Sequence, residues 1–364
     1  MAAPIYFNGK FYAGELNGVH RVADRLVREV DKLAASGWGN RQWDLRLLIP
    51  KRRQFSPQVD AFEVVEQELG HTQRWEQGIL PFVAKDGHLI NLANLSPILH
   101  RSKVTLIHDA QFYISPGSYA THFSVGYRIL TPIMARSSRS VLTVSEFSRE
   151  MLGAFGVSNW AKTAVLYNGA DHILDVAPDR SLLARHGLVA GNYAIVFGST
   201  FVYKNVDTVF RAFADPALAD LTLVVIGPDE AKLRAAGLVP PSNAVFVGKV
   251  DDAQLRGLYE SALCLLYPSR TEGFGLPPLE AMLCHCPAIV SPAGAIPEVC
   301  RDAALYSDVS DSVGWVSWVN ALRQNSDLRQ TKIEQGRKRA ADFTWENAGR
   351  RLMNVVSELA EAVP

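Results

Sequence analysis

The feature that most narrows what this chain can fold into is a series of short apolar runs in its second half, each ending in glycine, proline or serine. Residues 193–197 run into Gly198, 221–226 into Gly227, 245–247 into Gly248, 262–267 into Pro268 and 288–290 into Ser291. Continuous apolar runs of this length suit strands covered on both faces by helices. Their polar or glycine-rich ends mark the edge where open α/β sheets place ligands. The first half keeps the same rhythm, with strands read at residues 5–7, 45–49, 104–107 and 141–144. Val19, Val22, Leu26, Val30 and Leu33 recur at helical spacing between the first two. At 364 residues the chain exceeds one typical core. The prediction is an α/β protein of two Rossmann-like doubly wound domains facing a cleft. The boundary lies within residues 166–191, a stretch punctuated by Gly169, Pro178 and Gly187, and is placed after Asn168.

Composition removes several function classes. Acidic and basic residues balance at 37 each, so no whole-chain field recruits nucleic acid. Cys264, Cys284, Cys286 and Cys300 lack the paired spacing of a zinc site and read as buried structural thiols, which fits a reducing compartment. The N-terminal stretch carries no charged-then-apolar leader pattern, and no run reaches the roughly 20 apolar residues of a membrane span. Cytoplasmic placement is the expectation. No strand–GxGxxG–helix unit with a following acid points to a nicotinamide-dependent dehydrogenase. No aspartate-x-aspartate motif follows a nucleotide-binding strand, and Asp251-Asp252 reads as a loop and helix cap. No metal ligand set and no resident cofactor are expected.

The chemistry concentrates in Ser269-Arg270-Thr271-Glu272-Gly273-Phe274-Gly275-Leu276-Pro277-Pro278-Leu279-Glu280, which follows a buried strand and opens a helix. Proline is tolerated in a first helical turn, whose amides have no intrahelical partner; Leu279, Met282, Leu283 and Cys286 then make one apolar helical face, and Pro287 is read as the stop. Gly273 and Gly275 permit close backbone approach. The unpaired amides and the positive end of the helix dipole favour phosphate. Glu272 and Glu280 flank that site, and a carboxylate accepts hydrogen bonds from sugar hydroxyls. One can hold a transferred sugar and the other a ribose. The blander account is a strand–loop–helix junction with a capping glutamate; the glycines, prolines and strand context together favour the functional one.

This segment resembles the signature of the family 4 retaining glycosyltransferases, which have the GT-B fold. Ile107-His108-Asp109, the run from Val141 through Ser145 to Ser148, and Val165 through Asn168-Gly169 to Asp171 are similar to the family's first domain and interdomain segment. Gly198 through Lys204-Asn205, Gly294 through Pro297-Glu298, and Phe343-Thr344-Trp345-Glu346 resemble its donor domain and the start of its terminal helix. The resemblance implies an acceptor domain at 1–168, a nucleotide-sugar domain at 169–342 and a helix at 343–364 that returns to the first domain. It implies that Glu272 binds the donor sugar and Glu280 the ribose, that the backbone from Gly273 through Phe274 and Gly275 to Leu276 meets sugar and diphosphate, and that Lys204 stabilises the leaving group. His108 is implied near the transferred sugar, making His108, Glu272 and Lys204 the catalytic set; a buried structural histidine is the competing account. Gly18, in Gly14–Arg21, is a second candidate phosphate-facing glycine. Val250 lies in the stretch implied to run beside the base.

The chain also departs from the family, which often places an arginine after the first donor-domain strand or beside the lysine. Here Ser199, Thr200 and Tyr203 stand at those places, and Arg270 is the candidate replacement. The resemblance implies metal-independent transfer with retention of configuration, from a nucleotide sugar (GDP-mannose preferred) to a glycolipid or oligosaccharide acceptor in surface-polysaccharide synthesis. Basic–apolar stretches at 49–55 and 127–139 suggest contact with the cytoplasmic membrane surface, against a plain solvated helix face. The alternatives on the same fold are a nucleotide-sugar epimerase and a non-catalytic sugar-nucleotide-binding protein; a phosphorylase would need a much longer chain.

Overall fold

The computed structural model describes residues 3–15, 17–40, 42–118 and 121–361. The chain divides into two compact units, Met1–Asn168 with Trp345–Pro364, and Gly169–Thr344. Residues 362–364, the end of the expected terminal segment, lie outside the described residues, as does Leu16 within the Gly14–Arg21 loop.

The first unit is built on seven parallel strands: β1 (Ile5–Asn8), β2 (Leu45–Pro50), β3 (Glu63–Gln67), β4 (His88–Asn91), β5 (Lys103–Leu106), β6 (Ser140–Thr143) and β7 (Thr163–Val165), in the order β3-β2-β1-β4-β5-β6-β7. The chain starts in the middle, winds outward through β2 and β3, then crosses to β4 and winds the other way. Parallel neighbours require crossover connections, and helices supply them. The helix Gly18–Ala35 starts where the Asn17 side chain accepts the His20 amide, and it buries Val22, Leu26, Val27, Val30 and Leu33. Its buried Asp31 accepts the backbone amides of Asp60, Ala61 and Phe62, fixing the entry to β3.

The terminal helix Trp345–Glu361 belongs to this first unit and packs on Gly18–Ala35. A side chain at Gly349 would put its Cβ 2.8 Å from Glu29 Cβ, so a glycine there lets the two backbones approach. Phe343 and Thr344 group with the second unit instead. Phe343 sets its ring edge-on to Phe274 at 5.6 Å, and its carbonyl accepts the Ala170 amide.

The second unit holds six parallel strands: β8 (Tyr193–Phe197), β9 (Thr222–Ile226), β10 (Ala244–Gly248), β11 (Cys264–Tyr267), β12 (Ala288–Val290) and β13 (Leu305–Tyr306), in the order β10-β9-β8-β11-β12-β13. This is the same winding, so the order reverses between β8 and β11. Both faces of the sheet are covered. Val206–Phe213 and Ser312–Gln324 bury Phe210, Phe213 and Trp315 on one side, while Leu258, Tyr259 and Ala281 pack on the other. All four cysteines are buried and unbridged. The helix expected to run to Cys286 ends at Leu283, because His285 adopts φ 60° and the Cys286 amide turns back to the Ala281 carbonyl.

Candidate active site

In a doubly wound sheet the ligand crevice lies beyond the carboxyl ends of the two strands where the winding reverses. In the second unit those strands are β8 and β11, and the chains leaving them are joined at several points. After β8 the chain passes Ser199 and Thr200 into the turn Val202–Lys204, then Asn205 at φ 53° starts the helix Val206–Phe213. Asn205 Nδ2 donates to the carbonyls of Pro268 and Val309, at 3.1 and 2.7 Å. Its Oδ1 accepts from Arg270 Nη2 at 2.9 Å. The Arg270 amide in turn donates to the Tyr203 carbonyl. Asparagine tolerates the left-handed conformation and supplies side-chain bonds a glycine could not.

This cross-tie places Lys204 Nζ 2.7 Å from Glu272 Oε1. The pair is largely buried, with 27% of the lysine side chain and 11% of the glutamate exposed. Burial opposes the lysine's charge, but Glu272 and Tyr267 outweigh it and hold the ammonium above its ordinary range. Burial, followed by the nearby Glu272 charge, pushes the Tyr267 phenol far up, so it stays protonated as a donor.

Glycines fix the backbone around Glu272. Gly294, at φ 63°, lies against it so closely that a Cβ would sit 2.4 Å from the Glu272 amide nitrogen. The Ala295 amide donates to the Glu272 carbonyl. Gly275, at φ 104°, faces Ile296 and starts the helix Leu276–Leu283. Gly273 and Phe274 are buried in the loop before it. Pro277 and Pro278 occupy the first turn, so the helix start presents fewer amides than an ordinary one; Gly275 and Leu276 stand at its mouth. Glu280, buried on the first turns of that helix, brings Oε1 within 3.1 Å of His172 Nε2. Val250 follows β10 and is half-buried, next to Asp251, which caps Asp252–Ser261 through a capping box with Gln254.

The arrangement is two carboxylates, a lysine and a glycine-opened helix start around one sheet edge. The sequence pattern of the family described as glycosyl transferases group 1 matches residues 184–339, the stretch that holds all of these groups except His172. Over that stretch, somewhat under half of its length, the chain is similar to the group 1 glycosyltransferases. It is 24% identical over 266 residues to the O-antigen chain mannosyltransferase RfbU of Salmonella typhimurium, covering 72% of this chain and 71% of that one. It is 29% identical over 242 residues to O-antigen chain mannosyltransferase B of Escherichia coli, covering 60% of each. The structure superposes on HepE from Anabaena, solved in complex with UDP-glucose, with a TM-score of 0.72 and 16% identity over 98% of this chain and 100% of that one. That likeness shows the two-sheet GT-B fold.

The other two residues singled out in the sequence belong to the first unit. His108 follows β5 and is 5% exposed; its Nε2 donates to the Leu92 carbonyl at 2.9 Å, and its amide donates to Asn94 Oδ1. Burial pulls its pKa down to about 4, so the ring is neutral and Nδ1 is the acceptor nitrogen. Gly18 opens the helix Gly18–Ala35, and a Cβ there would meet open space. Its glycine identity is therefore no packing requirement.

His172 escaped the sequence reading. It lies just past Tyr167-Asn168-Gly169, read there only as a connection. The basic stretch after β2 is also changed by its partners: Lys51 pairs with Glu68 and Arg53 with Glu66, each at 2.6 Å. Among the described residues no helix is long and apolar enough to cross a membrane.

Proposed function

We propose that the chain is a retaining hexosyltransferase that takes its sugar from a nucleoside-diphosphate donor, GDP-mannose first among the candidates. The acceptor in this reading is a lipid-linked saccharide or oligosaccharide of surface-polysaccharide synthesis. The observation that carries it is the Lys204–Glu272 pair, held across the β8 and β11 loops at the reversal of the sheet and next to the Gly275 helix start. The two O-antigen mannosyltransferase relatives support the choice of sugar, and the UDP-glucose of HepE keeps uridine donors in contention.

In the transfer, the bond from the sugar's anomeric carbon to the β-phosphate oxygen breaks and a bond from the acceptor hydroxyl oxygen forms on the same face. The hydroxyl proton passes to the departing phosphate. Lys204 offsets the charge that grows on the diphosphate, with amides at Gly275 and Leu276 beside it. Glu272 accepts from sugar hydroxyls, and Glu280, steadied by His172, accepts from the ribose. Arg270, anchored by Asn205, supplies the second cation that Ser199 and Thr200 do not. His108, neutral, acts through hydrogen bonding and not through charge. No metal ion enters this scheme.

A cytoplasmic-leaflet surface is part of the proposal, now narrowed to one side of the first unit. There the exposed Ile133 lines a shallow hollow with Arg101, Arg136 and Arg139. The Lys51–Arg53 stretch, matched by glutamates, contributes less.

The test is a panel of GDP- and UDP-sugars titrated by calorimetry into the wild type and Glu280→Ala. One donor should bind the wild type and lose affinity in the variant. A folded protein that binds none of them would favour the non-catalytic alternative, and free-sugar release without an acceptor would favour an epimerase.

A further inference from the structure

The first sheet reverses its winding between β1 and β4, and the carboxyl ends of those strands carry a polar cluster that the donor chemistry does not use. Asn8 ends β1, and its Nδ2 donates to Asn91 Oδ1 at the end of β4 and to Glu76 Oε1, both at 3.0 Å. Glu76 is 2% exposed, and its other oxygen lies 2.5 Å from Lys10 Nζ. With its amide turned, Gln73 donates to Glu76 at 3.1 Å and accepts from Lys10 at 2.8 Å. The carboxylate rides on a π-turn, Trp75–Ile79, an interruption of helical hydrogen bonding that recurs at functional sites.

A purely structural ion pair is normally sealed in. This one opens into a cavity of about 450 Å³, within the range of small-molecule sites, whose walls also include Phe11, His20 and Tyr127. Burial and then the Glu76 charge push the Tyr127 phenol up to about 12, which keeps it a donor facing the cluster.

We propose that this cavity binds an uncharged sugar unit of the acceptor, read by the Lys10–Glu76 pair, which the Asn8 amide holds in place. The inference rests on the glycosyltransferase reading above and names the class of acceptor. Carboxylate and ammonium side by side match neighbouring hydroxyls, each of which both donates and accepts. The half-buried Tyr127 ring, stacked on Phe112, offers apolar surface for the sugar's C–H face. A phosphorylated polyol does not fit. To reach a phosphate, Lys10 would have to leave Glu76 buried and uncompensated, and the incoming anion would face that carboxylate. The pocket therefore selects neutral over phosphate-bearing acceptors.

Saturation-transfer NMR on the full chain tests this with methyl α-D-mannopyranoside, methyl α-D-glucopyranoside and, as charged probe, inositol 1-phosphate. At least one neutral glycoside should receive saturation from the wild type, and inositol 1-phosphate should not. In Glu76→Gln the glycoside signal should fall about tenfold, the loss typical of a hydrogen bond to a charged partner. Inositol 1-phosphate should gain signal there because Lys10 is released. If Glu76→Gln does not fold, the wild-type preference alone decides. Binding of inositol 1-phosphate over both glycosides, or no glycoside signal, overturns the proposal. A nucleotide-sugar titration on the same sample separates the two readings. Nucleotide binding without glycoside binding sinks only the acceptor site, and glycoside binding without nucleotide binding sinks the transferase reading and leaves this site standing.

Discussion

Replacing Lys204 by alanine strands Glu272, a carboxylate with 11% of its side chain exposed, next to a phenol and a closed glycine loop. Removing one partner of a buried pair costs about 3–5 kcal/mol, because the remaining charge loses its compensation. The lysine is 27% exposed, so solvent already screens part of the attraction, and a loss of about 2–3 kcal/mol is the expected stability change. Glu272→Gln acts differently. It leaves an ammonium on a flexible stem that can reach water, so about 1 kcal/mol is expected. The double variant Lys204→Ala/Glu272→Gln removes the stranded carboxylate and should recover about 1–2 kcal/mol of the first loss. Urea unfolding of the four proteins, read as midpoint shifts at constant slope, measures this cycle. Transfer should not recover with stability: both lysine-free proteins should show kcat reduced by about a hundredfold or more, the loss typical of one preorganised charge-stabilising donor. Additive losses in the cycle, or a double variant that regains activity, would refute the reasoning.

Three further perturbations probe other parts of the structure. Gly294→Ala would force a Cβ to within 2.4 Å of the Glu272 amide at a positive φ, so about 2–3 kcal/mol of destabilisation with loss of nucleotide binding is expected by thermal shift. His172→Ala, which removes the group 3.1 Å from Glu280, should weaken nucleoside-diphosphate binding about tenfold by calorimetry, while His172→Gln keeps a donor and retains part of the affinity. His108 is held neutral when folded, with its pKa lowered from 6.5 to about 4. Between those values the unfolded chain binds the extra proton, so this group's contribution is full above pH 6.5 and lost as pH falls toward 4. His108→Gln should flatten the stability profile in that window; an unchanged profile would remove the neutral-histidine assignment.

The strands legible in the sequence are those with an unbroken apolar run, whether central or, like the half-buried β10, at an edge. β8 through β12 are apolar runs with clear punctuation, and the group that follows β11 carries its own motif. The strands it hid lack such a run: β4, His-Leu-Ile-Asn, is buried but bounded by polar residues, and the others are short or exposed. β3 is Glu-Val-Val-Glu-Gln at the sheet edge, where the outer face meets water; β7 has three residues and β13 two. Glu272, Lys204 and Glu280 stood out because their chemistry lies beside glycines and prolines in one contiguous stretch or just past a strand. His172 and Glu76 did not, because each acquires its partner only through the fold, 108 positions away at Glu280 and 66 at Lys10. The π-turn that carries Glu76 has no sequence period to betray it. The end of the signature helix was misjudged by a few residues because Pro287 looked like the stop, whereas the left-handed His285 stops it first.

The central claim is that the sheet edge between β8 and β11 is where the nucleotide diphosphate sits. Hydrogen–deuterium exchange on the full chain, with and without saturating GDP and UDP, tests it most directly. The expected result is slowed exchange in residues 199–205 and 269–280 with one of the two nucleotides, and none in residues 5–14. Nucleotide binding that leaves both second-unit segments unprotected would contradict the account.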